Sequence, residues 1–217
     1  MFDSFVQDSL SRRNETGFSF LEVVVVLGII LAVCGAAVFN LTPALNTAKS
    51  NSGMELVLGE LRRAHERAVD ERRIYRVTFV TPQTIQVDVG QVANIAATIS
   101  GTTPPFTQVQ PPMVLPPGVQ FVAVPGIPTT TQTTPDGFGS GNNAIDLDIS
   151  NGGGGTQVYF QPDGRALDIT NRLNNGVVYI AQPNNLFSSR AVSLYGATGR
   201  VKSWFLTKVG GVNGWSQ

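Results

Sequence analysis

The pattern of hydrophobic positions changes twice along the chain. The first pattern is continuous: 17 consecutive residues from Val23 to Phe39 lack a polar side chain, and Phe20 and Leu21 extend the run. Built as a helix at about 1.5 Å per residue, residues 18–41 would reach about 35 Å, which is enough to cross a bilayer. The run therefore predicts a membrane-spanning helix over residues 18–43.

The second pattern is amphipathic and follows Pro43, whose missing N–H should kink or interrupt a helix. Apolar residues recur at steps of four, three and four, which places them on one helical face: Val57, Leu61, Ala64 and Ala68. The charged residues between 62 and 73 fall mostly on the other faces, as on a solvated helix surface. This segment predicts an amphipathic helix over residues 44–73, with His65 either packed or facing solvent.

Beyond Arg73 the period shortens to two. The alternating segments are short, rich in β-branched and aromatic residues, and separated by Gly, Pro or Asn turns; they cover 76–80, 84–89, 119–124, 144–149, 157–160, 177–180, 191–195 and 201–206. They predict a β-sheet head over residues 74–217, with a Thr/Pro/Gly-rich excursion at about 100–143. The expected fold class is α+β: a long N-terminal helix whose second half packs on an antiparallel β-sheet head.

Composition excludes several kinds of chemistry. A single Cys cannot form an internal disulfide, and one Cys with one His makes neither a zinc site nor a Cys/His nucleophile pair. The Gly152–Gly155 run lacks the Lys and Ser/Thr that follow in a phosphate-binding loop. We therefore expect a non-enzymatic protein without metal or cofactor.

Glu22 is the most informative residue, because a carboxylate inside a membrane span costs several kcal/mol unless it is paired. No Lys or Arg occurs between Arg13 and Lys49. A secretory signal peptide would have a shorter apolar run of about 7–15 residues. A lipoprotein would need a small residue before Cys34, where this chain has Val33, and a plain membrane anchor leaves the acid unexplained.

The string Gly17-Phe18-Ser19-Phe20-Leu21-Glu22-Val23 resembles the type III signal sequence of type IV pilins and type II secretion pseudopilins. The resemblance implies that residues 1–17 are a leader cut off by prepilin peptidase after Gly17, and that the new N-terminal Phe18 is methylated. It also implies a single-pass inner-membrane protein with a periplasmic head. Glu22 would then pair with the Phe18 amine of a neighbouring pilin or pseudopilin subunit during assembly.

The turn at Gln161–Gly164 and the closing segment 199–205 resemble the GspH/FimT branch of the pseudopilins, which implies a minor pseudopilin of a type II secretion or type IV pilus machine. Members like FimT bind DNA for natural transformation through a Gly-Arg motif, to which Gly199-Arg200-Val201-Lys202 is similar. DNA uptake is therefore the alternative function, with Arg200, Lys202, Arg190 and Lys208 as candidate contacts.

The charge distribution keeps both functions open. The 15 bases and 15 acids of the whole chain cancel, but residues 74–164 carry one base against five acids, a sum of −4. Residues 165–217 carry six bases against one acid, a sum of +5. Basic residues interleaved with an aromatic can bind a nucleic-acid backbone and stack a base, whereas a charged edge strand is equally typical of a solvated surface.

Asp146 and Asp148 alternate within a strand pattern, which points both carboxylates to one face. Two carboxylates fall short of the six to eight oxygen ligands that Ca²⁺ takes. A solvent-facing strand surface is the preferred interpretation, and an anchored hydrolase has only such scattered acids in its favour.

Overall fold

The computed structural model describes residues 19–90, 106–128, 134–139, 142–149 and 152–217, without the side chains of residues 38–42 and 209. The chain divides into two compact units, Met1–Pro43 and Ala44–Gln217. We call the second unit the head.

Helix α1 spans Phe20–Asp70, 51 residues, with Pro43 inside it. The sequence left either a kink or an interruption open at Pro43, and the helix continues through it, because a proline removes only one N–H from the hydrogen-bond pattern. Beyond Asp70 the chain leaves the helix through Arg72, whose φ of 52° lies in the left-handed region.

Within the first unit, α1 presents apolar side chains to its surroundings. The segment Phe20–Ala37 has a mean hydropathy of 2.7 and none of it is buried. Among the described residues it is the one helical segment long and apolar enough to cross a membrane. A surface of this kind requires lipid or protein around it.

The described residues of the head form two antiparallel sheets of six strands each. The first sheet consists of β1 (Tyr75–Val80), β2 (Thr84–Gly90), β3 (Phe106–Gln108), β4 (Met113–Val114), β7 (Gln157–Phe160) and β8 (Ala166–Leu167). Its order is β3-β2-β1-β7-β8, with β4 also paired to β2. The fold class is therefore the predicted one, a helix with antiparallel β-sheets.

The second sheet consists of β5 (Gln120–Phe121), β6 (Ile145–Asp146), β9 (Gly176–Ala181), β10 (Arg190–Tyr195), β11 (Arg200–Val209) and β12 (Val212–Ser216). Its order is β12-β11-β10-β9-β5, with β6 also paired to β9. The hairpin of β10 and β11 pairs Tyr195 with Arg200 and Ser193 with Lys202. The four predicted cations therefore lie on this hairpin, Arg190 on β10 and the others, Arg200, Lys202 and Lys208, on β11.

One core joins α1 to both sheets of the head. The four residues predicted to share a helical face, Val57, Leu61, Ala64 and Ala68, are at most 2% exposed. They pack in one cluster with Val77 and Phe160 of the first sheet and Val178 and Leu194 of the second. A smaller cluster lies on the opposite face of the second sheet: Ile127, Val177, Tyr179, Ala191 and Leu206.

All eight predicted strand segments contain a strand, but two are much shorter than predicted. Segment 119–124 keeps only β5 and segment 144–149 keeps only β6. The strands β3, β4, β8 and β12 were not predicted, because strands of two or three residues have no measurable periodicity and Gly214 interrupts the pattern of β12. The predicted excursion contains β3, β4, β5 and a short helical turn, Pro135–Gly137, and its residues 100–105, 129–133 and 140–141 lie outside the described residues.

Candidate functional site

The structure describes the predicted acid, Glu22, but not the predicted processing site. Gly17 and Phe18 lie outside the described residues. Glu22 lies in the first turn of α1, exposed and next to Val23 and Val26. No ion pair of Glu22 occurs within the described residues. Its carboxylate therefore sits on the apolar helix surface without a cation from the described part of the chain.

Arg200 is the exposed cation of the predicted Gly-Arg motif. Its guanidinium carbon lies 5.7 Å from the ring centroid of Tyr195, its cross-strand partner. Tyr195 in turn stacks on Phe138, with centroids 6.4 Å apart and ring planes 8° from parallel. The three side chains form a cation–aromatic stack on the outer face of the second sheet.

Lys202 lies on the same strand face as Arg200 but is bound within the head. Its Nζ donates to Oδ1 of Asp136 at 2.8 Å. The other oxygen of Asp136 accepts a hydrogen bond of 2.6 Å from the hydroxyl of Ser193, and that hydroxyl accepts one of 2.9 Å from Nε1 of Trp204. The Lys202 and Asp136 side chains are 27% and 17% exposed. The network therefore holds Lys202 and Trp204 in place.

Asp136 is the site residue that the sequence did not reveal. It lies in the short helical turn Pro135–Gly137, with a φ of 53°. The turn is far from β11 in the chain, and only the fold brings the two together. An Asp in a Pro/Gly-rich segment is typical of an ordinary turn, so no local pattern signals its partner.

Arg190 is only 5% exposed, so the fold removes it from the cations that DNA could contact. Its Nε donates to Oδ1 of Asn51 at 2.7 Å, and its Nη1 donates to the carbonyls of Phe187 and Ser189. Burial lowers the pKa of the guanidinium. Arg190 thus joins the start of β10 to α1.

Lys208, the remaining candidate, is exposed near the end of β11, paired with Asn213 across the β11–β12 hairpin. Arg200 and Lys208 are therefore the candidate cations that remain accessible. DNA binding by this face stays a prediction.

Gly199 of the Gly-Arg motif has a structural reason to be glycine. Its φ is +63°, and a Cβ atom there would stand 2.6 Å from the carbonyl oxygen of Gly164. The same Gly164 oxygen lies 3.0 Å from Nε2 of His65 in α1. The β10–β11 turn, the β7–β8 turn and α1 thus meet at one point, and His65 is a packed residue.

The expectation that Asp146 faces solvent is wrong. Asp146 is 2% exposed, and its Oδ1 accepts a hydrogen bond of 2.9 Å from the backbone N–H of Gly154. Asp148 has a φ of 59°, so the strand alternation assumed for the two acids is not present. The described residues contain no group of three or more His, Cys, Asp or Glu that could hold a metal ion.

No family model matches the sequence of this chain, and no curated protein matches it. Two crystal forms of the type IV minor pilin FimU from Pseudomonas aeruginosa are similar in structure. Both are 13% identical to this chain, and each match covers 70% of this chain. The matches cover 90% and 85% of the two FimU chains, with TM-scores of 0.40 and 0.41. At that identity and those TM-scores, the likeness says nothing of what this chain binds or does.

Proposed function

We propose that this chain is a minor pseudopilin-like subunit, cut between Gly17 and Phe18 and incorporated into a short filament anchored in the inner membrane. The observation that carries the proposal is a single carboxylate, Glu22, on an exposed helix of mean hydropathy 2.7. A signal peptide or a simple anchor has no use for an acid at that position.

The mechanism follows from the cost of an unpaired charge in lipid. Cleavage before Phe18 creates an α-amino group four residues, one helical turn, before Glu22. When a second subunit docks, the Glu22 carboxylate of one copy and the Phe18 amine of the other neutralise each other. Pairing removes a penalty of several kcal/mol and therefore favours assembly over the isolated membrane protein.

In this proposal the head supplies contacts to other subunits and has no catalytic role. Its helix and two sheets share one buried core, which makes it a stable platform for surface residues. The type II secretion and type IV pilus machines both use subunits of this kind, and the proposal covers either one.

Mass spectrometry of the protein extracted from membranes tests the proposal directly. We expect a mature chain beginning at Phe18, with a mass increase of one methyl group on its amine. Co-expression with and without a prepilin peptidase provides the control. A mature chain that begins anywhere else, or an uncut chain in the presence of the peptidase, would contradict the proposal.

DNA capture is a second candidate function, favoured by the stack of Arg200, Tyr195 and Phe138. A base can add to an exposed aromatic face, and Arg200 and Lys208 can contact phosphates. Binding of the full chain in detergent to double- and single-stranded DNA should fall steeply between low and moderate salt. We expect Arg200→Ala with Lys208→Ala to reduce it, and binding that ignores both substitutions would exclude this face.

A further inference from the structure

A groove of about 400 Å³ opens on the outer side of the second sheet, at the β11–β12 hairpin. It is lined by Asp136 and Gly137 from the short turn and by Trp204, Asn213, Gly214 and Trp215 from the hairpin. We call it the tryptophan groove. Its volume lies at the lower end of the range of small-molecule sites, about 300–1,000 Å³.

Both indole rings of the groove are held in fixed positions. Nε1 of Trp204 donates to Ser193 at 2.9 Å, and the Trp215 ring packs on Tyr179 with centroids 5.7 Å apart. Both side chains remain partly exposed. The groove therefore offers flat, apolar faces. Because the indole side chains are already ordered, little side-chain entropy is lost when a ligand binds to them.

Polar atoms of the groove retain hydrogen-bonding capacity. Nδ2 of Asn213 donates to the carbonyl of Gly126 at 3.0 Å, which leaves its amide oxygen and a second N–H. Nε1 of Trp215 and the hydroxyl of Tyr179 behind it have no partner within the described part of the chain, but both atoms are buried, so the accessible polar groups of the groove are those of Asn213 and Asp136. Burial, with the charge of Asp146, raises the pKa of Tyr179, so its hydroxyl stays protonated at neutral pH.

The charge of the groove is balanced. The carboxylate of Asp136 is paired with Lys202 at 2.8 Å, and among the described residues Asp136 is the one charged residue that lines the groove. Lys208 pairs with Asn213 across the hairpin but does not line the groove, so the lining itself offers a charged ligand no free counterion, whereas a neutral ligand would lose no ionic solvation on entering.

We propose that the tryptophan groove binds a neutral saccharide. A pyranose ring combines an apolar C–H face, which stacks on indole, with a rim of hydroxyls, which pair with the carboxylate of Asp136 and the amide of Asn213. The proposal rests on the head alone and stands whether or not the chain assembles into filaments. A free oligosaccharide and a strand of a polymeric glycan would present the same chemistry.

The chain contains only two tryptophans, and both line the groove, so intrinsic tryptophan fluorescence reports on this site alone. The full chain is kept in a zwitterionic detergent, because a maltoside headgroup would compete. Chitotetraose is titrated as the soluble probe, and co-sedimentation with insoluble chitin tests the polymer. We expect a saturable change in emission, or sedimentation with the polymer alone if the groove recognises a longer glycan.

Two substitutions separate groove binding from a general effect. Asn213→Ala should weaken binding at least about fivefold, whereas Val212→Ala, an exposed neighbour on the same strand outside the lining, should leave it unchanged. If Asn213→Ala loses its β-sheet circular dichroism, Trp215→Phe is the second variant: it keeps an aromatic ring against Tyr179, reduces the flat face available for stacking and should weaken binding, reported by Trp204. Neither emission change nor sedimentation, or binding that both groove variants leave intact, overturns the proposal.

Discussion

Gly199 lies directly against His65: a Cβ atom on Gly199 would stand 2.6 Å from Nε2 of the imidazole. Two turns of the head and the long helix meet at this contact, since His65 Nε2 also lies 3.0 Å from the carbonyl oxygen of Gly164. The glycine of the Gly-Arg motif is thus explained by packing, and its neighbour Arg200 remains exposed. Substitutions at the two positions can therefore distinguish the packing role of Gly199 from the surface role of Arg200.

Gly199→Ala should lower the free energy of unfolding by about 2–4 kcal/mol, because the methyl group meets a positive φ and crowded neighbours. Gly210→Ala is the matched control: its φ is also positive, at +60°, but no atom lies within 4 Å of the added Cβ. The control should cost only about 1–2 kcal/mol, the price of the left-handed conformation. Denaturant unfolding measures both, and equal losses would mean that the His65 contact is unimportant.

Arg190→Ala should destabilise the head by about 2–4 kcal/mol, because it empties a buried position and leaves Oδ1 of Asn51 without its donor. Arg200→Ala removes an exposed guanidinium and should stay within about 0.5 kcal/mol of the parent chain. Thermal unfolding of the two variants side by side tests this. A small effect at Arg190 would contradict its assignment as a residue that joins β10 to α1.

Asp136→Asn should cost about 1–2 kcal/mol and shift tryptophan emission. It removes the charge from two hydrogen bonds that are partly shielded from water, to Lys202 and Ser193, and Ser193 holds Trp204. Asp163→Asn is the control, because the Asp163–Arg165 pair is about half exposed on both sides. Exposed pairs contribute about 0–1 kcal/mol, so the control should change little. Denaturation of both variants with fluorescence readout makes the comparison, and equal costs would argue against the network.

Stability should fall in alkaline solution through Tyr75. Burial, reinforced by the hydrogen bond that its hydroxyl donates to Glu71, raises the pKa of Tyr75 from its ordinary value of 10.0 to about 12. The folded state then holds the proton more tightly, so this stabilisation is complete below pH 10 and is lost as the pH rises toward 12. The loss is at most about 2–3 kcal/mol.

Tyr75→Phe has no hydroxyl to titrate, so its unfolding free energy should decline less steeply between pH 10 and 12. Taking the difference between the two proteins cancels the titration of Lys and the other tyrosines. Urea denaturation at pH 8, 10 and 11.5 provides the measurement. Parallel pH profiles for the two proteins would show that Tyr75 titrates normally.

Glu22→Gln tests the assembly step of the proposed function. It keeps the size of the side chain and removes the charge, so membrane insertion should persist. Incorporation into filaments should fall about tenfold or more, because the Phe18 amine of the neighbouring subunit would then be left unpaired in lipid, at a cost of several kcal/mol. Val23→Gln places the same amide one residue along the helix and should assemble normally. The amounts of both variants in sheared filament and membrane fractions measure incorporation. Normal incorporation of Glu22→Gln would contradict the pairing mechanism.

The sequence by itself determined the features that depend on neighbours along the chain. The apolar run with Glu22, the buried helix face of Val57, Leu61, Ala64 and Ala68, and the longer strands are all visible, because periods of 3.6 and 2 are local properties. The local rule for Pro43 left a kink and an interruption equally open, and the structure shows that α1 continues through it as one long helix.

Only the tertiary structure decided which charged residues are accessible. Arg190, Arg200 and Lys202 look alike in the sequence, yet one is buried against Asn51, one is exposed on Tyr195 and one is paired with Asp136. Asp136 lies 66 residues from Lys202, and the two tryptophans form a groove with it only when β11 and β12 are paired. Contacts across such separations depend on strand register and turn geometry, which no local pattern encodes.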